Sequence, residues 1–183
     1  MVWRLETDRL ILRPPEERDV PTIVALIGDY DVAKNLSTVP HPYSQQDAHN
    51  YLAMTRPKLA AGTDYSFSII RKEDNFHIGG TGLHLTEHGN EFGYWFGRPF
   101  WGFGYATEAA RRIVEFAFFE LQLPAVWAGW YHDNPRSGHV LSKLGCRPHG
   151  QDTRKCMSRG HEVLCNLVTL DRADYMEERR TAA

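Results

Sequence analysis

The sequence predicts an α+β fold: a mixed α/β sandwich with a central, mostly antiparallel sheet and helices on both faces. Two observations predict it. Between Tyr65 and Phe96, three strand-like runs are divided by short turn-forming segments, and runs joined so closely pair antiparallel. After Phe96 the pattern becomes helix, strand, helix, strand, with apolar residues recurring at helical spacing from Thr107 to Leu121. The length, 183 residues, fits a single domain spanning 1–183. A chain of this size buries roughly 70% of its unfolded surface. With 42% hydrophobic residues it can fill a core without metal or disulfide support.

Taken in order, Arg9–Arg13 reads as a first strand stopped by Pro14 and Pro15. Asp19 is placed to cap a short helix carrying Ile23, Val24, Leu26 and Ile27 and ending near Gly28. Asn35–Tyr43, with Pro40 and Pro42, is a loop. Ser44 and Asp47 form a capping box in which Asp stands for the usual Glu or Gln. The helix they open carries Tyr51, Leu52 and Leu59, and Pro57 is expected to kink or interrupt it. The three strands are Tyr65–Arg71, His77–Leu85 and Glu91–Phe96, with turns at Lys72–Asn75 and Glu87–Asn90. In the helix from Thr107 to Leu121, Ala110, Ile113, Val114, Ala117, Phe118 and Leu121 share a face, and Glu108 is expected to face Arg111 and Arg112 outside. Ala125–Tyr131 is a strand, Asn134–Leu144 a helix closed by Gly145, and Glu162–Leu170 a last strand. Arg147–Gly160 is ambiguous.

Composition removes several function classes. Lys plus Arg number 21 against 23 Asp plus Glu, a net charge of −2, with no basic block to hold a nucleic acid. Met1–Arg13 is too charged for a signal core, and no run of 18 apolar residues offers a membrane span. Cys146, Cys156 and Cys165 are odd in number with no close pair, which suits free, buried thiols and a cytoplasmic location.

The chemistry concentrates after the third strand. There the chain runs through Gly97, Gly102 and Gly104 straight into a helix. Glycines permit positive φ and close backbone approach. The free N–H groups of the helix start then face a ligand, and the dipole favours phosphate. No Gly-Lys-Ser/Thr follows, so it is not a Walker loop. The dinucleotide fingerprint also fails, because Gly102-x-Gly104 continues to Thr107 and its strand belongs to an antiparallel set.

Trp101-Gly102-Phe103-Gly104-Tyr105-Ala106 resembles the pyrophosphate loop of the GNAT N-acetyltransferases, Gln/Arg-x-x-Gly-x-Gly/Ala. Trp in first place and the continuation through Thr107 resemble the RimJ/RimL-like branch. So do Glu91 to Trp95 before the loop, Asn134-x-x-Ser137, Lys143 to Cys146, and the opening Thr7 to Arg13. The resemblance covers nearly the whole chain. It implies a GNAT-like sheet with splayed parallel strands around a coenzyme site. Two positions depart from it: Phe103 stands where the branch has Lys or another polar residue, and Cys146 replaces Phe.

By this resemblance the co-substrate is acetyl-coenzyme A, held by residues 101–107, by backbone groups of Trp95 and Phe96, and by Asn134 and Ser137. Many GNAT enzymes protonate the leaving thiolate with a Tyr, but Leu141 holds that place here. Ser137, three residues after Asn134 on one helix face, is the substitute. Glu91 is a candidate base acting through water, or a plain exposed strand-end carboxylate, and His84 is a second base. His84 and His88 have no third ligand at a diagnostic spacing, so no metal is expected. An α-amine, with pKa near 7.7–8.0, costs about 1 kcal/mol to deprotonate at pH 7, against over 4 for Lys. A modest base therefore suits a protein N-terminus, as in ribosomal-protein acetylation, or a small amine such as an antibiotic, polyamine or amino acid. Asn35–Tyr43, Trp130 and Tyr131 are expected to line the acceptor side. A non-catalytic acyl-coenzyme A sensor is the alternative of another class. No nucleic acid or membrane partner is expected, and a homodimer is left open.

Overall fold

Residues 3–86 and 89–181 are described by a computed structural model. Glu87 and His88 lie outside the described residues, so the turn and the ligand reading placed on them do too. One sheet of eight strands organises the molecule, in the order β1-β2-β3-β4-β5-β6-β8-β7. These are β1 (Leu5–Glu6), β2 (Leu10–Arg13), β3 (Asp64–Arg71), β4 (Phe76–Thr86), β5 (Gly89–Phe96), β6 (Ala125–Tyr131), β7 (Arg147–Cys156) and β8 (His161–Asp171). The ambiguous segment is thus the edge strand β7, paired antiparallel with β8.

Every pairing is antiparallel except β5 with β6, which run parallel and share a single pair, Glu91 with Trp127. The β4–β5 ladder, by contrast, continues from Thr86 with Gly89 to Gly79 with Phe96. The sheet is therefore two well-paired halves that part company beyond Glu91, leaving a gap between β5 and β6.

The helices are α1 (Val20–Ile27), α2 (Tyr30–Ala33), α3 (Gln45–Ala61), α4 (Tyr105–Glu115), α5 (Pro135–Lys143) and α6 (Arg172–Thr181). α4 and α5 cover one face, where Phe67, Phe92, Ile113, Phe116 and Leu141 are fully buried. α1 and α3 cover the other through Val20, Ile23, Ala48 and Leu52. The capping box forms as expected: Ser44 Oγ accepts from the Asp47 amide and the Asp47 carboxylate from the Ser44 amide. Pro57 lies within α3 without interrupting it. Past Glu115 the amphipathic helix widens into a π turn, Phe116–Glu120.

Two electrostatic expectations are corrected. Asp19 precedes α1 but caps nothing there with its side chain. Its carboxylate is buried and takes both Arg13 Nη atoms at 2.8 Å, Ser68 Oγ at 2.9 Å and the Glu16 amide at 2.9 Å. Burial alone would raise its pKa, but these donors outweigh that and hold it below the usual range. Glu108 does not turn to Arg111 or Arg112. It reaches across to the turn between β1 and β2, accepting from Thr7 Oγ1 at 2.6 Å and pairing with Arg9. The cysteines are free, Cys156 and Cys165 buried and Cys146 half-buried, and burial pushes the Cys165 thiol up to about 11.

Candidate active site

The loop that the glycine spacing singled out leaves β5 at Phe96, makes a short turn at Arg98–Phe100, and enters α4 at Tyr105. Gly102 and Gly104 adopt φ of 84° and 80°, where a side chain would be strained. Gly104 is the residue before α4, and no side chain caps the helix. The first amides of α4, at Tyr105, Ala106 and Thr107, are left for an outside acceptor.

The loop is braced from below. Arg9 Nη1 donates to the Phe103 carbonyl at 3.0 Å while its guanidinium pairs with Glu108 and lies over the Tyr105 ring. Trp101 Nε1 donates to the Phe96 carbonyl at 2.8 Å, closing the loop onto the strand it left. Phe103, 61% exposed, turns its ring to solvent.

The backbone of β5 supplies a correction. Thr81 Oγ1 donates to the Gly93 carbonyl, and a Cβ added at Gly79 would collide with the Trp95 carbonyl, so Gly93 and Trp95 direct their backbone at β4. By strand alternation, the β5 groups facing the gap belong to Tyr94 and Phe96. Trp95 therefore does not offer the gap its backbone. Its ring packs with the cluster under α1 and α3.

Across the gap, Asn134 immediately precedes α5, and its side chain makes no cap bond. Ser137 stands on the first turn, with Tyr94 against it. The Tyr94 hydroxyl lies 3.0 Å from Ser137 Oγ and 3.3 Å from the Ser137 carbonyl. Burial raises the Tyr94 phenol to about 12, so it stays a neutral hydrogen-bonding group. Leu141, at the place where the resemblance implies a Tyr, is core.

Glu91 fits neither picture drawn for it. Its side chain is 18% exposed, and its carboxylate takes Arg154 Nη1 at 2.5 Å. Arg154 comes from β7 and crosses β8 and β6. Its guanidinium passes over Gly129, where an added Cβ would come within 3.4 Å of Nη1. Strand alternation separates the two aromatics expected on the acceptor side. Trp130 lies under α5, touching Gly138, whereas Tyr131 is buried on the opposite face with its hydroxyl on the Lys155 carbonyl.

A gap in the sheet, a glycine loop at its end, and an uncapped helix start describe a site for an extended ligand with a phosphate group. A model of the acetyltransferase (GNAT) domain matches residues 9–147. The chain belongs to the GNAT family. N-acetyltransferase p20 of Bacillus licheniformis is 31% identical over 160 residues, which span 85% of this chain and 89% of that protein. The ribosomal-protein-S5-alanine acetyltransferase of Vibrio fischeri superposes with a TM-score of 0.80 at 18% identity, over 94% of this chain and 98% of that one. The spermidine N-acetyltransferase of Vibrio cholerae, solved with CoA and spermine, gives 0.77 at 17% identity, over 93% and 99%. At such identities the two structures show the fold alone.

This GNAT acetyltransferase has the α+β fold that the resemblance implied. Among the described residues no group of three or more His, Cys, Asp or Glu could hold a metal ion. No helix among them is long and apolar enough to cross a membrane. Four residues of the site were not anticipated: Arg9, Arg154, Tyr94 and Asp64. For Tyr94 a signal existed, since alternation along Glu91–Trp95 sets it on the face opposite Glu91. The other three act through partners 20 to 99 positions away.

Proposed function

We propose that residues 1–183 form one acyltransferase domain that moves an acetyl group from acetyl-coenzyme A to a primary amine, most simply a protein N-terminal α-amine. The observation that carries this reading is the uncapped start of α4 behind Gly102 and Gly104, set at the mouth of the β5–β6 gap. When bound there, acetyl-coenzyme A supplies a thioester open to attack by an amine. Residues 101–107 would hold its phosphates through backbone amides, and Tyr94 and Phe96 present backbone to its arm. Asn134, with a side chain unused in capping, would bind the end of that arm. The Ser137 hydroxyl would donate toward the sulfur as negative charge develops, with Tyr94 fixing its direction. The α-amine is favoured because it needs only a modest base, such as His84 would be, and because a neighbour acts on a ribosomal protein. The spermidine enzyme among the neighbours keeps small amines as the second acceptor class.

The test is calorimetric binding of acetyl-coenzyme A, followed by thiol release on a panel of N-terminal peptides, polyamines and amino acids. Binding and turnover on at least one α-amine peptide are expected. Ser137→Ala should lower kcat at least tenfold, about 1.4 kcal/mol of barrier, with the coenzyme Kd little changed. Binding without turnover on any amine would favour a sensor, and turnover confined to polyamines would move the acceptor to the second class.

A further inference from the structure

The face under α1 and α3 carries a row of side chains fixed by register. Asp64 on β3 pairs with His84 on β4, His84 with Glu91 on β5, and Glu91 with Trp127 on β6. Residues in register share a face, so Asp64, His84 and Glu91 stand side by side. The two carboxylates are differently employed. Glu91 is tied to Arg154, whereas Asp64 Oδ2 lies 2.9 Å from His84 Nδ1 and its Oδ1 accepts from Ser66 Oγ at 2.9 Å.

Burial would raise the Asp64 pKa, but the His84 and Ser66 contacts outweigh it and hold the group ionised. An ionised carboxylate only accepts, so Nδ1 carries a proton, and in the neutral ring Nε2 is the nitrogen left to accept. The free edge of the ring has a defined place. A Cβ added at Gly82 would lie 3.0 Å from His84 Cε1 and 3.1 Å from Nε2, so that edge overhangs Gly82. The register partner of Gly82 is Gly93, above which a Cβ would meet nothing within 4 Å. Two facing glycines thus leave an open floor beside the Nε2 edge of the ring, and the next residue along β5 is Tyr94, whose side chain meets Ser137 on the opposite face.

We propose that His84 is the base that takes the proton of the acceptor amine over the Gly82–Gly93 floor, with Asp64 as the residue that fixes its tautomer. The proposal rests on the acetyltransferase reading above. An acceptor ammonium loses two protons in the reaction. One passes to His84 Nε2 and then to water. The other leaves the nitrogen as the N–C bond forms and the C–S bond breaks, and ends on the departing sulfur. Among the described residues, the charged and titratable groups around the pair are Glu91 with its Arg154, and Lys58 and Tyr51 of α3.

Three measurements test it on the intact protein. Nitrogen NMR of the coenzyme-free protein should show His84 protonated at Nδ1 and bare at Nε2, and Asp64→Asn should abolish that preference. His84→Gln should bind acetyl-coenzyme A with wild-type affinity and lose at least 100-fold in kcat/KM for the amine. His84→Ala should regain part of that rate when imidazole is added. Asp64→Asn should move the acid limb of the pH profile to lower pH, where a merely structural change would scale the profile uniformly. A ring protonated at Nε2, or wild-type kcat/KM in His84→Gln, would overturn the proposal while leaving acetyl transfer itself intact. Absence of turnover in the wild type on every amine would instead overturn the underlying reading.

Discussion

Two Arg–carboxylate pairs, one within the first half of the sheet and one bridging its two halves, show how this molecule divides rigidity from access. Arg13 and Asp19 bind two atoms to two, in the core of the first half, with Ser68 and a backbone amide completing the carboxylate. Arg154 and Glu91 meet through one contact, Nη1 on Oε1 at 2.5 Å, both part-exposed, and join the two halves across the gap. The first pair fixes β2, α1 and β3 together where nothing needs to enter. The second spans the place where β5 and β6 share a single rung and a ligand must pass. Multiplicity of contact and depth of burial follow the need for permanence.

The largest effect should come from breaking the buried pair. Asp19→Ala takes the two-atom partner from a guanidinium whose side chain is 12% exposed, leaving it the Pro14 carbonyl and Glu16 at 3.5 Å, and breaking such a buried pair costs about 3–5 kcal/mol. Urea unfolding should show that loss. A double replacement, Arg13→Met with Asp19→Leu, should recover most of it, since no charge is then left unpaired. A single variant as stable as the wild type would mean the pair is no more permanent than the one across the gap.

The sequence made the regular parts of this architecture legible and hid its cross-connections for physical reasons. Ser44 with Asp47, the apolar stripe from Ala110 to Phe118, and the strands between Asp64 and Phe96 announce themselves through local spacing. The edge strand β7 did not, because Arg147–Lys155 is polar throughout and has no buried face to mark a period of two. α6, equally polar, gave no signal either. The glycine loop was legible because conformation dictated residue type at Gly102 and Gly104. Arg154 on Glu91, Arg9 on Glu108, and Asp64 on His84 were not, because only the register of distant strands brings them together.

A second effect, of intermediate size, belongs to the same rigid half. His77 on β4 is buried beside Trp95 with its Nδ1 unpartnered, and burial pushes its pKa down from 6.5 to about 4. Above pH 6.5 it is neutral in both folded and unfolded chains and costs nothing. As pH falls from 6.5 toward 4, the unfolded chain takes a proton that the folded one refuses, so stability falls. The most this can remove is roughly 3 kcal/mol. Asp19, with its lowered pKa, adds loss only below the ordinary carboxylate range. Unfolding curves between pH 7 and 4.5 should therefore steepen in their dependence on pH, and His77→Phe, which keeps an aromatic ring against Trp95, should reduce the slope. An unchanged slope would assign the acid sensitivity to other groups.

The smallest expected effect is the most informative about chemistry. Glu91→Gln keeps the shape of the side chain and removes its charge, so the tie to Arg154 weakens without opening a cavity. A part-exposed pair of this kind contributes about 1 kcal/mol or less, well under the loss expected at Asp19. Hydrogen exchange should nevertheless quicken at the Glu91–Trp127 rung, the one β5–β6 pair that the tie supports, while the β3–β4 ladder stays protected. The kinetic outcome separates two roles for the carboxylate. As a tie, its loss changes kcat/KM for the amine by no more than a few-fold, because the proton still has His84 to go to. As a base acting through water, its loss lowers kcat/KM by 100-fold or more and removes the acid limb of the profile. A guanidinium on Oε1 favours the charged carboxylate and makes it a weaker proton acceptor, so the first outcome is expected. A 100-fold loss in a folded Glu91→Gln protein that still binds acetyl-coenzyme A would return the base to Glu91 and make Arg154 the group that positions it.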